Sequence, residues 1–278
     1  MRSSIASTTW TRPRPRAKDS FFHGRGFLTL LLAGAFLWSL SAVDWGGSLV
    51  HPGGLSALGE IAAAAFTPEL SAGFVRLAFE SAWTTLAYAV AGICLALALG
   101  FPLGVLASGV LARSGATRLA QVSAFRFVLG FFRAIHELVW AWLFVVALGL
   151  SPMAAILALA IPYGGILGRI YADILNDVPQ EPLRALRSSG ASELKVLFYG
   201  RLPMALPDMV GYSFYRLECA VRAAAIMGFV GIGGLGLQLQ LSLNDLHYDE
   251  VWTLLYALIG IIVVVDAWST WLRRSLTS

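Results

Sequence analysis

Charge is what this chain lacks. Only 13% of its 278 residues are Asp, Glu, Lys or Arg, against 58% hydrophobic, and its mean hydropathy is +0.73. A soluble domain of this length carries about 25% charge. The composition therefore excludes an ordinary water-soluble fold and points to a polytopic membrane protein. Cysteine is scarce as well. Cys94 and Cys219 both lie inside apolar runs, which argues for buried thiols and against a disulfide framework. No Cys/His cluster has metal-ligand spacing, H-E-x-x-H is missing, and no set of catalytic groups stands out, so neither a metal centre nor a membrane-embedded enzyme is expected. The chain also lacks G-x-x-x-x-G-K-[ST], so any nucleotide site belongs to another chain. The formal net charge is +4. Anionic lipid headgroups explain so small a surplus, and nucleic acid is not an expected partner.

What is present is a series of apolar runs. Residues 1–26 form a basic tail with Arg2, Arg12, Arg14, Arg16, Lys18 and Arg25. A first span follows at 27–43; a secretory signal peptide is the alternative, but the run exceeds an h-region of about 7–15 residues. Residues 44–81 read as an external segment with an interfacial helix near 68–80. Further spans are expected at about 82–110, 122–150, 153–175, 203–230 and 252–271, with a kink at Pro162, Tyr163 and Gly164-Gly165. Each is long enough to cross about 30 Å of hydrocarbon at about 1.5 Å per residue. With the N-terminus inside, the tail cations, Arg113, Arg118, the 184–203 cluster, Arg273 and Arg274 are all cytoplasmic. Among the loop cations Arg76 alone is external, beside Asp44, Glu60, Glu69, Glu80, Asp245, Asp249 and Glu250. That asymmetry predicts six spans with both termini cytoplasmic.

The polar exception is the largest internal loop, about 176–205. Its stretch RALRSSGASELKVLFYGRLP carries four cations and one acid. Pro203 suits the first turn of the fifth span. Ser192 suits the cap of a short helix, with Glu193 in its first turn. The small residues Ala185, Ser188, Ser189, Gly190 and Ala191 would let a short helix enter a groove on another protein. A solvated connector is the plainer reading.

Here the residues resemble a family. Permease subunits of binding-protein-dependent ABC importers carry a cytoplasmic loop of pattern E-A-A-x3-G-x9-I-x-L-P. Ala185, Gly190, Leu202 and Pro203 match it; Arg184 stands where the pattern has Glu, Leu186 where it has Ala, and Gly200 where it has Ile. Residues 133–150, 190–236 and 248–259 are similar to phosphonate ABC-transporter permeases. The resemblance implies an all-α, type I (MetI-like) permease core over 82–272 in a bacterial inner membrane. It implies a homodimer or a pair of similar permeases, two cytoplasmic ATP-binding subunits that hold ATP and Mg, and a periplasmic substrate-binding protein. The cargo would be a phosphonate or a related oxyanion such as phosphite or hypophosphite. The loop would be a coupling helix, with Arg184, Ala185, Leu186, Gly190, Ala191, Leu202 and Pro203 its contact residues.

Charges inside spans are costly, at least about 2.5–3.5 kcal/mol at mid-bilayer. Arg133 and Glu137 stand i,i+4 in the third span, and Glu218 and Arg222 stand i,i+4 in the fifth. With His136 and Arg216 they are candidates for an anion path; locking helices together is the alternative. Arg169 and Asp266 are further charges within spans. Gly231, Gly233, Gly234 and Gly236 form a G-x-G-x-x-G run, which ends a span and does not join a strand to a helix. An external gate is expected there, and no dinucleotide site. Two other transport readings remain open: a permease of the same family for another substrate, such as an amino acid, or a stand-alone secondary transporter, for which no internal repeat is visible.

Overall fold

The computed structural model describes residues 25–43, 45, 53–112 and 115–277. Among the described residues every regular element is helical. The expected basic tail lies outside them except for its last two residues, as do Asp44 and Arg113. The chain divides into two compact units, residues 1–57 and 58–278. The first holds α1 (Arg25–Ser41), an apolar helix of 17 residues at the expected first span. At about 1.5 Å per residue it is slightly shorter than a 30 Å hydrocarbon core. A second helix, α2 (Gly54–Ala64), begins in the first unit and ends in the second.

The second unit continues with α3 (Ala72–Ser108), α4 (Gly115–Ala134), α5 (Glu137–Leu148), α6 (Pro152–Asp177), α7 (Gln180–Ser188) and α8 (Glu193–Val196). A π-helical turn, Leu197–Arg201, leads into α9 (Leu202–Met227). A short 3-10 turn at Gly228–Val230, α10 (Leu235–Asn244) and α11 (Tyr248–Thr277) complete it. Three of these, α3, α6 and α11, are long and apolar enough to cross a membrane. Two further pairs pass that test only together: α4 with α5, bent by 84°, and the 193–230 segment with α10, bent by 47°.

Two expectations change. The interfacial helix near 68–80 and the span after it are one helix, α3, of 37 residues, about 55 Å long. Its early charges are satisfied on its own surface, because Arg76 Nε donates to Glu80 Oε1 at 2.8 Å. The span expected at 122–150 is broken instead of continuous. His136 adopts an extended backbone (φ −64°, ψ 145°) and caps α5, its Nδ1 accepting from the Leu138 N–H at 3.3 Å. The fourth span is one helix, α6, with Pro162 inside it, and its glycines serve packing.

That packing is what holds the second unit together. A Cβ on Gly104 would lie 2.7 Å from the Gly168 carbonyl oxygen, and one on Gly100 would lie 2.8 Å from that of Gly164. A Cβ on Gly165 would meet Phe132 Cβ at 2.8 Å and the Leu129 carbonyl at 2.9 Å. So α6 presents glycine to α3 on one side and to α4 on another, and the backbones come nearly into contact. Buried alanines extend the seam: Ala89, Ala96 and Ala107 on α3, and Ala154, Ala155 and Ala158 on α6. In lipid there is no hydrophobic drive between helices. Close approach and the dispersion contacts it permits supply the attraction instead.

Replacing Gly104 by Val should therefore cost more than an ordinary overpacking of about 1–3 kcal/mol, because its neighbour is backbone and cannot rotate away. A thermal melt of the detergent-solubilised protein should show the loss. Gly260→Ala, with nothing within 4 Å of its Cβ, should leave the melt unchanged or slightly raised.

Candidate functional site

The 176–205 loop folds into a compact hairpin of helices. Its first helix, α7, ends in a Schellman motif: Gly190 has φ +85°, its N–H bonds the Arg187 carbonyl at 3.0 Å, and the Ala191 N–H bonds that of Leu186 at 3.1 Å. This is the left-handed position that glycine takes without a Cβ penalty. A Cβ at 190 would meet nothing within 4 Å, so the glycine is required by the turn.

Arg187 then clamps the turn, donating from Nε and Nη2 to the two Glu193 carboxylate oxygens at 2.9 and 3.1 Å. That bond raises the Arg187 pKa above its ordinary value. Ser192 occupies the cap position of α8 without a side-chain capping bond. Leu183, wholly buried, and the half-buried Leu186 press on Gly200, where a Cβ would lie 2.7 Å from Leu183 Cδ2. This explains a glycine in place of the family's isoleucine. Leu202 and Pro203 open α9, as expected. Arg184, Ala185, Ser188, Ser189 and Gly190 form the exposed edge of the hairpin.

Sequence reasoning missed Arg201. It is 7% exposed, and its Nη1 donates to the Leu175 carbonyl at 2.6 Å. It thus places a cation on the C-terminal end of α6, where the helix dipole favours one, and ties the loop to the central helix. The Leu-Pro behind it was legible; a buried arginine was not, since charge in a loop reads as solvated.

The intramembrane charges are sorted differently from their spacing. Arg133 and Glu137 fall on either side of the α4–α5 break and form no ion pair among the described residues; Glu137 lies 3.7 Å from His136 instead. Nor does Glu218 pair with Arg222. Its carboxylate accepts from the Ser269 hydroxyl at 2.7 Å and from Arg273 Nη2 at 3.2 Å, both on α11. Arg222 is exposed, and its Nη2 is 3.6 Å from the Cys219 sulfur. One helix turn fixes which residues share a face, but the partner came from another helix. Asp173 similarly accepts from Arg169 at 3.1 Å and from Arg126 of α4 at 3.5 Å.

Two cations remain together without a carboxylate among the described residues. Arg133, at the end of α4, and Arg216, on α9, line one open cleft of about 510 Å³ floored by Ile166 and Ile170 of α6. Arg216 is held by Tyr212, whose hydroxyl oxygen accepts from its Nε at 2.9 Å and its Nη2 at 2.6 Å. Its guanidinium carbon lies 5.1 and 5.4 Å from the Tyr212 and Tyr215 ring centres, in cation–π range.

The glycine run makes a tight reversal at the end of α9. Gly231, Gly233 and Gly234 have φ of +91°, +97° and +82°. Gly228 and Gly236 face each other, and a Cβ on Gly228 would lie 2.5 Å from the Gly236 Cα. Thr85 Oγ1 of α3 accepts from the Leu235 N–H at 2.9 Å and so caps α10. That helix, over residues expected to be turn and polar connector, was not foreseen.

An apolar bundle that is all-helical among the described residues, with several helices long enough to span a bilayer, has the architecture of a multi-spanning membrane protein. The chain belongs to the family described as the binding-protein-dependent transport system inner membrane component, which matches residues 100–278. These are permease subunits of ABC transporters; they are not enzymes, and the ATPase is a separate subunit. The chain is 31% identical over 221 residues to the phosphite transport system permease protein PtxC of Stutzerimonas stutzeri, covering 80% of this chain and 78% of that one. It is 35% identical over 198 residues to the phosphate-import permease protein PhnE of Mycolicibacterium smegmatis, covering 71% of this chain but 36% of that longer protein. In fold it is similar to a chain of the MetNI methionine ABC transporter in an inward-facing conformation, with a TM-score of 0.66 at 22% identity, covering 75% of this chain and all of that one.

The revised pairing is testable. Glu218→Gln should lower stability by about 1–3 kcal/mol, less than a fully buried pair because Arg273 is 35% exposed. Arg222→Gln should leave it unchanged. Thermal melts of the two variants decide; equal losses would restore the pairing read from the sequence.

Proposed function

We propose that this chain translocates a small phosphorus oxyanion, such as phosphite, hypophosphite or a phosphonate, as the permease of an ATP-driven importer. The observation that carries the reading is the α4–α6–α9 cleft, where Arg133 and Arg216 stand together without a carboxylate partner among the described residues. Unneutralised cations are costly in a bilayer, so their retention argues for an anionic visitor. The names of the relatives, phosphite transport and phosphate import, support the same chemical class. Glu218 drops out of the path as a structural residue, and His136 as a helix cap. Arg222, exposed on α9, and Glu137 stay candidates for its outer part.

In this reading two copies of the chain, or this chain and a similar permease, enclose the path. Both termini are cytoplasmic, and a periplasmic binding protein delivers cargo at the glycine reversal of residues 231–236, which acts as the outer gate. The α7–α8 hairpin is the coupling element. Its exposed edge from Arg184 to Ala191 meets one of two ATP-binding subunits, and Arg201 passes the push to α6. Six spans follow if α1 and each bent pair count as one.

Reconstitution into proteoliposomes with the ATPase and binding protein tests the cargo. ATP-dependent uptake of phosphite or methylphosphonate, uncompeted by excess methionine or glycine betaine, is expected. Uptake of an amino acid or betaine in their place would refute the reading. For the loop, Gly190→Arg both strains the turn and loads its exposed edge. It should insert normally yet reduce transport and transport-linked ATP hydrolysis at least tenfold; unchanged transport would make the hairpin a passive connector.

A further inference from the structure

The hydrogen bonds around Arg216 say more than its charge does. A phenolic oxygen has two acceptor positions and one proton. Arg216 donates to Tyr212 Oη twice, from the adjacent Nε and Nη2, and a guanidinium has no acceptor to take a proton in return. The Tyr212 proton must then be given to something else, and among the described residues nothing accepts it. Arg216 has five N–H donors, of which two are spent, so three remain. Arg133 brings another guanidinium to the same cleft. The other lining side chains, those of Gly130, Ala134, Ile166 and Ile170, are apolar or absent. No carboxylate is among the residues lining the cleft; of those in neighbouring helices, Asp173 is held by Arg126 and Arg169, and Glu218 by Ser269 and Arg273. The side chains of the cleft thus offer mainly donors.

We infer that this cleft is a binding site for a small oxyanion, and that Tyr212 is its specificity-determining residue, donating its O–H to the anion. The two hydrogen bonds to Tyr212 and the cation–π contact with Tyr215 fix the direction of the guanidinium, so its unspent donors are presented without further ordering. A ligand rich in acceptors satisfies these donors. A zwitterion brings an ammonium, which meets two like charges and no carboxylate among the lining residues. A bulky quaternary ammonium is repelled in the same way. Discrimination of this kind is by unpaired groups in the wrong complex, which gives larger ratios than shape alone. The permease would then select as well as conduct. The inference rests on the importer reading for its role in transport, but the binding it describes does not depend on that role.

The test is direct binding of inorganic phosphite to the detergent-solubilised complex of this chain with its ATPase, measured by calorimetry, alongside glycine betaine. Phosphite should bind and betaine should not. Tyr212→Phe, which removes both the anchor for Arg216 and the donated proton, should weaken phosphite binding about tenfold or more, the usual cost of a hydrogen bond to a charged group. Arg216→Gln should abolish it, and Arg216→Lys should restore only part, since an ammonium cannot present the planar fork. A thermal melt confirms that each variant is folded; a variant that is not is replaced by Arg133→Gln, expected to weaken binding by a similar factor. Absence of phosphite binding to the unaltered complex, equal binding of betaine, or full-strength binding by folded Tyr212→Phe would each overturn the assignment. Intact, Tyr212-dependent binding without uptake in the proteoliposome assay would overturn the importer reading and leave the site standing.

Discussion

The close approach of α3 and α6 is the constraint on which the rest of the second unit depends. Gly100 and Gly104 on one helix meet Gly164 and Gly168 on the other at distances no side chain permits. With α6 fixed against α3, Gly165 lets α4 in on a further side, up to the Leu129 carbonyl. The cleft of Arg133 and Arg216 is the far edge of this arrangement: its floor is α6, and its walls are the end of α4 and the middle of α9. A larger residue in the seam would move the floor, and with it the spacing of Arg133 from Arg216.

The same central helix receives the loop. Arg201 reaches the last turn of α6 from the π-helical turn before α9, so three elements meet at one buried guanidinium. A π-turn is an irregularity that aligned hydrogen bonding disfavours and that tends to mark functional sites. Here it sets the register between the hairpin and α9. The α7–α8 hairpin is small, but it is internally rigid through the Schellman turn, the Arg187–Glu193 clamp and the Leu183–Gly200 contact. A displacement at its exposed edge would reach α6 and α9 without being absorbed in the loop.

Charge neutrality is distributed between helices. Asp173 joins α4 to α6, and Glu218 joins α9 to α11. Each carboxylate has its cation across a helix interface, which serves packing in a solvent that gives charges no other shelter. This pairing is what leaves Arg133 and Arg216 conspicuous.

Much was legible in the residues alone. Low charge and long apolar runs dictated a helical membrane protein, because backbone polar groups in lipid must bond within their own segment. The loop pattern marked the permease family, and the glycine at 190 and the proline at 203 stand where a helix end and a helix start require them. What one dimension could not carry was partnership. Spacing of four residues puts Glu218 and Arg222 on one face, yet Glu218 is claimed by Ser269 and Arg273, some fifty positions away. Four residues also separate Arg133 from Glu137, but His136 caps a new helix between them. Tyr212 and Arg201 had no sequence signal, since a tyrosine in a span reads as an anchor and an arginine in a loop reads as solvated. Local propensity and composition decide what each segment is; which polar group meets which depends on helices brought together by glycine contacts far away in the chain, and only the folded bundle contains that information.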